Sequence, residues 1–95
     1  MSQDPRRIDY SNKFLKQLKK APSKIQIAFR DRFALFLEDP FNPILDNHSL
    51  IGNYLGKRSI NITGDWRAVY SESENETGEK TVIFQLLGTH SQLYK

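Results

Sequence analysis

The chain has 95 residues, fourteen Lys and Arg against eleven Asp and Glu for a net charge of +3, two histidines and no cysteine. That length holds one domain, residues 1–95, with a single two-layer core that buries roughly 60 to 65% of the unfolded surface, so a second module is excluded. The absence of cysteine rules out a disulfide framework and a thiolate zinc site, and no apolar run spans a bilayer or forms a signal peptide; a cytoplasmic protein without membrane contact, metal or cofactor is expected.

"RRIDYS" places Ile8 and Tyr10 on alternate positions and reads as a short opening strand, closed by Ser11 or Asn12, either of which can cap a helix. From Asn12 to Lys20, Phe14, Leu15 and Leu18 share one side and Lys13, Lys16 and Lys20 the other, the pattern of an amphipathic helix with a basic outer face. Pro22 and Ser23 start a second helix, in which Ile25, Ala28, Phe29, Phe33 and Phe36 recur at helical spacing as a core stripe. Arg32 falls within the arc of that stripe and either snorkels to its edge or reaches toward a site. Pro40 ends the helix by removing a donor and disfavouring helical geometry at Asp39.

A long connection follows, "FNPILDNHSLIGNYLG", with His48 in its middle, and long connections in compact domains tend to carry function. In "RSINITGDWRAVYSES", Ile60 and Ile62 face one way and Ser59, Asn61 and Thr63 the other, with a turn at Gly64 and Asp65 leading into a strand carrying Trp66, Ala68 and Tyr70. The acidic "ESENETGE" is a solvated hairpin loop, and Thr81 to Leu87 is a last strand apolar enough to be central. The order strand, helix, helix, three strands predicts an α+β fold, two N-terminal helices packed on one face of a small antiparallel sheet. Its opposite face is then available to gather Ser59, Asn61, Asp65 and His90, with His48 folding over the same place.

Two histidines, with reference pKa near roughly 6.5, suit proton transfer at neutral pH. Lys57, Arg58 and Arg67 suit a phosphate and the charge that builds on it, and Tyr94 suits stacking on a base or donating a hydrogen bond. Together these parts fit cleavage of RNA by attack of a ribose 2′-hydroxyl on the adjacent phosphorus, which needs a base, an acid and cations. Each residue also has a plainer reading: histidines at strand ends are commonly structural, Trp66 is a core anchor, Asp65 a turn former and Arg67 an exposed cation. Eleven Lys and Arg against six Asp and Glu from Met1 to Arg58 suit a polyanion or an acidic partner, and equally a solvated lysine-rich helix.

"HSLIGNYLGKRSINITGDWRAVY" followed by "VIFQLLGTHSQLY" resembles the RelE/ParE superfamily of bacterial type II toxins, and most its YafQ branch. There a His-x-Leu-x-Gly segment leads to an Asp-Trp pair, and the chain closes on Gly-Thr-His with an aromatic four residues beyond the histidine. The resemblance implies a RelE-like fold and an endoribonuclease that cuts messenger RNA in the ribosomal A site and is held inactive by a cognate antitoxin. It makes His48, Asp65 and His90 the catalytic residues, with Tyr94 as the C-terminal aromatic and Arg67 similar to an arginine of the wider superfamily that supports the scissile phosphate. Asn61 is left to orient substrate, and Lys57 and Arg58 stay substrate contacts on their charge alone. Where the branch carries an aspartate and a further histidine on the second strand, this chain has Ser59 and Asn61, neither of which trades protons at neutral pH. The alternative from another class is a relative that acts by binding, as the gyrase-poisoning ParE branch does, or one that only grips its antitoxin.

Overall fold

The computed structural model describes residues 6–94; Met1 to Pro5 and Lys95, which the single-domain expectation also takes in, lie outside the described residues. The first strand, β1 (Arg6–Tyr10), ends at Ser11, where the chain turns onto the sheet. The Ser11 N–H donates to the Phe84 carbonyl at 2.9 Å, and its hydroxyl donates to the Gln85 carbonyl at 3.0 Å and accepts from the Phe14 N–H at 3.0 Å. One side chain thus ties strand to sheet and caps helix α1 (Asn12–Lys20).

Phe14 is fully buried, whereas Leu15 is 46% exposed. The apolar face of α1 is therefore narrower than the expected stripe, because a nine-residue helix lying on one strand turns little more than one row of side chains inward. Gln26 then caps the end of α1, its amide donating to the carbonyls of Leu18, Lys19 and Ala21 at 3.0, 3.2 and 3.3 Å. Gln26 belongs to α2 (Ser23–Glu38), which buries Ile25, Phe29 and Phe36 as its spacing predicts.

The connection after α2 is not plain loop: it makes 3-10 turns at Pro43–Leu45 and Gly52–Tyr54 and a two-residue strand β2 (His48–Ser49). Strands β3 (Arg58–Asn61), β4 (Trp66–Glu74) and β5 (Lys80–Thr89) follow, and a short helix α3 (His90–Leu93) continues directly from β5. The five strands form one sheet in the order β1-β5-β4-β3-β2. Its four strand junctions are antiparallel except β1 with β5, which is parallel, so the sheet is mixed rather than the expected antiparallel one. A parallel neighbour needs a long crossover, and everything between β1 and β5 supplies it.

Phe84 on β5 is the centre of the core. Its ring lies 5.6 to 6.0 Å from those of Tyr10, Phe14, Phe29, Phe33, Phe36 and Tyr70, so the residue joins both helices to the sheet. Beside it the register slips: Tyr70 pairs with Phe84 but Val69 with Leu86, which leaves Gln85 as an extra residue in a bulge.

Directly paired residues on neighbouring strands share a face. Ile60, Ala68 and Leu87 form one row and Tyr70 with Phe84 another, all toward the helices. His48, Ser59, Val69 and Leu86 form a row on the outer face, followed by Asn61, Arg67 and Gly88. This is the face expected to work, though Ser59 and Val69 are wholly buried beneath what folds over it.

Candidate active site

The outer face is completed by the C-terminal residues. Thr89 caps α3 through a reciprocal pair, its hydroxyl accepting from the Gln92 N–H at 3.2 Å and its own N–H donating to Gln92 Oε1 at 2.8 Å. Gly88 fits closely under that turn: a Cβ there would sit 3.0 Å from Gln92 Oε1 and 3.3 Å from Leu93 Cδ2, so both side chains would have to give way. The residues of α3 pack over Gly88 on the outer face and carry His90 and Tyr94 with them.

His90 is exposed, its N–H donates to the Asp65 carbonyl at 3.0 Å, and its ring meets that of Tyr94 edge to face at 4.9 Å. The Asp65 turn is itself held by Arg67, whose Nη1 donates to the carbonyls of Thr63, Gly64 and Trp66 at 3.1, 3.1 and 3.2 Å. Arg67 therefore braces the turn that carries Asp65, with the rest of its fork left over for other acceptors. Asp65, His90, Tyr94 and Arg67 are brought together at one end of the sheet.

Tyr54 joins them, a residue that the sequence pattern did not single out. Its hydroxyl donates to the Leu93 carbonyl at 2.9 Å and its ring meets Tyr94 edge to face at 5.9 Å, so the long connection and α3 are tied together above the sheet. The available signal was an aromatic set between two glycines, Gly52 and Gly56, whose φ of +66° and +90° only glycine adopts without strain.

The remaining candidates divide. Lys57 lies on the outer face and its ammonium donates to Gln85 Oε1, in the β5 bulge, at 2.6 Å. Arg58, the next residue along the strand, points to the helix side, where its Nε donates to Asn47 Oδ1 at 2.8 Å and its guanidinium lies 5.3 Å from the Phe41 ring centre. Asn47 in turn donates to the Tyr70 hydroxyl at 2.8 Å. The Arg58 guanidinium is thus held at Asn47 and Phe41, apart from the Lys57 ammonium at Gln85.

His48 stands at the far side of the face, three strand steps or about 14 Å of sheet from β5. Its Nδ1 lies 2.7 Å from the carbonyl oxygen of Asp46, a residue held at φ +46°. A carbonyl only accepts, so Nδ1 is the donor in this contact and Nε2 is the ring nitrogen left without a partner among the described residues. No direct contact joins the two histidines, and only a molecule lying across the face reaches both.

Among the described residues, three buried polar atoms have no hydrogen-bond partner: Ser59 Oγ, Asn61 Oδ1 and Tyr94 Oη. All belong to residues of this outer side, and each such atom withheld from pairing costs about 1–3 kcal/mol. Among the described residues no three His, Asp or Glu side chains cluster closely enough to hold a metal ion, and no helix is long and apolar enough to cross a membrane.

The profile of the family described as "Bacterial toxin of type II toxin-antitoxin system, YafQ" matches residues 6–95. The chain belongs to the YafQ toxin family. Solved structures bear out the architecture that goes with it. YafQ from E. coli superposes with a TM-score of 0.77 at 22% identity, covering 96% of this chain and 100% of that one. A chain of the E. coli DinJ-YafQ toxin-antitoxin complex gives 0.74 at 22% identity, covering 95% of this chain and 98% of that one. A YoeB/ParE toxin from Agrobacterium tumefaciens gives 0.70 at 17%, covering 88% and 98%. At these identities the likeness is one of fold, a RelE/ParE-like fold that this YafQ-family toxin shares. No curated protein matches the sequence.

Proposed function

We propose that this YafQ-family toxin is an endoribonuclease that cuts messenger RNA in the ribosomal A site, stops translation, and is neutralised by a cognate antitoxin. The observation that supports it best is the end of β5: an exposed histidine, His90, packed against Tyr94 and tied through its backbone to the Asp65 turn, in a toxin of this family. An antitoxin partner is supported by the E. coli relative, which was crystallised as the DinJ-YafQ complex.

In the proposed reaction a base removes the 2′-proton, O2′ bonds to the adjacent phosphorus, and the bond from phosphorus to O5′ breaks as an acid protonates the leaving oxygen. The products are a 2′,3′-cyclic phosphate and a free 5′-hydroxyl, and the nucleophile comes from the substrate itself. His90 and Asp65 act at the scissile phosphate, Tyr94 packs against the substrate beside them, and Lys57, Asn61 and the unused part of the Arg67 fork steady the chain of phosphates. His48, across the face, presents its Nε2 to the same RNA strand. Neither Ser59 nor Asn61 exchanges protons in this scheme.

The test is ribosome-dependent cleavage with 5′ ends mapped on a translated messenger, wild type beside His48→Ala and His90→Ala. Cuts within A-site codons that vanish in His90→Ala are expected, with a deficit of about 10²–10⁴-fold for a lost proton-transfer group. A messenger left whole by wild-type protein that still arrests growth would redirect the search to DNA gyrase.

A further inference from the structure

Tyr94, whose ring packs against His90, also lines a cleft of about 440 Å³ together with Ile51, Asn53, Tyr54, Gln92 and Leu93. We propose that this cleft receives a nucleobase and reads its hydrogen-bonding edge with the amides of Asn53 and Gln92. The proposal rests on the nuclease reading for its place in the reaction, since it puts that base beside the nucleotide whose phosphate is cut. It goes beyond that reading in assigning base selectivity to residues outside the candidate catalytic group.

The lining fits a base better than a phosphate. No Lys, Arg, Asp or Glu contributes to it among the described residues, so nothing there balances a phosphate charge. What it offers is aromatic and aliphatic side chains interleaved with amides. The Tyr54 and Tyr94 rings stand at 81° to each other, forming a corner of two aromatic walls, and Ile51 is 84% exposed, a large apolar side chain held out at the rim. Aromatic and aliphatic walls of this kind suit an unstacked base, which brings a π-face of its own whatever its identity.

Selectivity requires donors and acceptors left over from folding. Asn53 makes no hydrogen bond among the described residues and so has both a carbonyl acceptor and an amine donor to spend. Gln92 spends its Oε1 on the Thr89 N–H, which anchors the side chain and leaves the Nε2 donors without a partner among the described residues. One free amide and one anchored amide therefore line the same cleft as the two aromatic rings, and such side chains distinguish bases by their edges. The corner is stiff as well: the Tyr54 hydroxyl is fixed to the Leu93 carbonyl at 2.9 Å, and Gly52 and Gly56 hold the turn that carries Asn53 and Tyr54.

The experiment titrates isotopically labelled wild-type protein with each of the four nucleoside 5′-monophosphates and with ribose 5-phosphate, following backbone and side-chain amide resonances by NMR. The expected result is perturbation centred on Asn53, Tyr54, Gln92 and Tyr94, with one base favoured about fivefold or more over the weakest, the low end of what one amide–base pair is worth. Asn53→Ala is expected to flatten that preference while weaker stacking persists. The proposal is overturned if no nucleotide perturbs these residues, or if ribose 5-phosphate does so as well as the four nucleotides. Mononucleotides contain no internucleotide bond to cut. Base-selective binding by a protein that leaves messengers whole would thus uphold the cleft and sink only the nuclease reading.

Discussion

The rings of His90 and Tyr94 meet edge to face at 4.9 Å, one helical turn apart, and the Tyr94 N–H donates to the His90 carbonyl at 2.9 Å. The ring and not the hydroxyl makes this contact, because Tyr94 Oη is buried without a partner. Tyr94→Phe should therefore keep cleavage within about threefold and leave stability equal or slightly higher, since an unpaired buried hydroxyl is removed. Tyr94→Ala should lower cleavage by about 5- to 150-fold, the worth of one aromatic stacking surface. Parallel cleavage assays and urea melts decide it, and a Phe variant as inactive as the Ala variant would give the hydroxyl the role assigned here to the ring.

Gly88 is predicted to be as intolerant as the residues it positions. An added Cβ would press on Gln92 Oε1 at 3.0 Å and Leu93 Cδ2 at 3.3 Å, so the cap of α3 would open or the helix would lift. Gly88→Ala should cost about 1–3 kcal/mol of stability by overpacking, and the cross-ring contact between His90 and Tyr94 should disappear from NOE spectra. An alanine variant that keeps both wild-type stability and that contact would show the close fit at residue 88 to be dispensable.

Most of the frame was legible because local signals there were strong. Ser11, Pro22 and Pro40 bracket α1 and α2, and the alternation of Ile60 and Ile62 against Ser59 and Asn61 set the faces of β3. What stayed hidden depends on distant partners or on very short elements. The parallel pairing of β1 with β5 joins residues more than seventy positions apart, such as Tyr10 and Phe84, and leaves no local trace. Strand β2 has two residues, too few for a period to appear, and exists only because β3 offers an edge. Helix α3 was too short for periodicity, although the Thr89 to Gln92 capping pair was present to be read. Nothing local in the sequence separates Arg58 from Lys57, because the partners that hold Arg58, Asn47 and Phe41, come from the preceding connection. Tyr54 came into view only through its bond to Leu93.

Alkaline stability should depend on Tyr70. Burial pushes its hydroxyl above the usual phenol value, opposed by the hydrogen bond from Asn47 and by the nearby Arg58 charge. With the folded value raised, the unfolded chain releases this proton first, near pH 10, so above that point it binds fewer protons than the native state. The contribution is complete below about pH 10 and is lost as pH climbs through the folded value. Tyr70→Phe should cost about 0.5–1.5 kcal/mol at neutral pH, through the lost bond from Asn47, yet decline less steeply than wild type above about pH 10. Urea midpoints measured across that range test this, and curves that stay parallel would remove Tyr70 as the cause. Tyr10, also raised by burial, is present in both proteins and cancels.

The outer face of α1 tests the ribosomal target. Lys13, Lys16 and Lys20 are all exposed, and none forms an ion pair among the described residues. Gln matches Lys closely in helix propensity, so the triple variant Lys13→Gln, Lys16→Gln, Lys20→Gln should fold with nearly unchanged stability. If these ammonium groups lie on ribosomal RNA phosphates, the variant should bind ribosomes more weakly. The slope of log K against log salt should then flatten by about 0.7–0.9 for each phosphate no longer neutralised. The slope is the sharper readout, because a general loss of fit lowers affinity without changing how many counterions are released. An affinity and a slope both equal to wild type would identify the lysines as a solvated helix face and move the ribosome-binding role to another surface of the toxin.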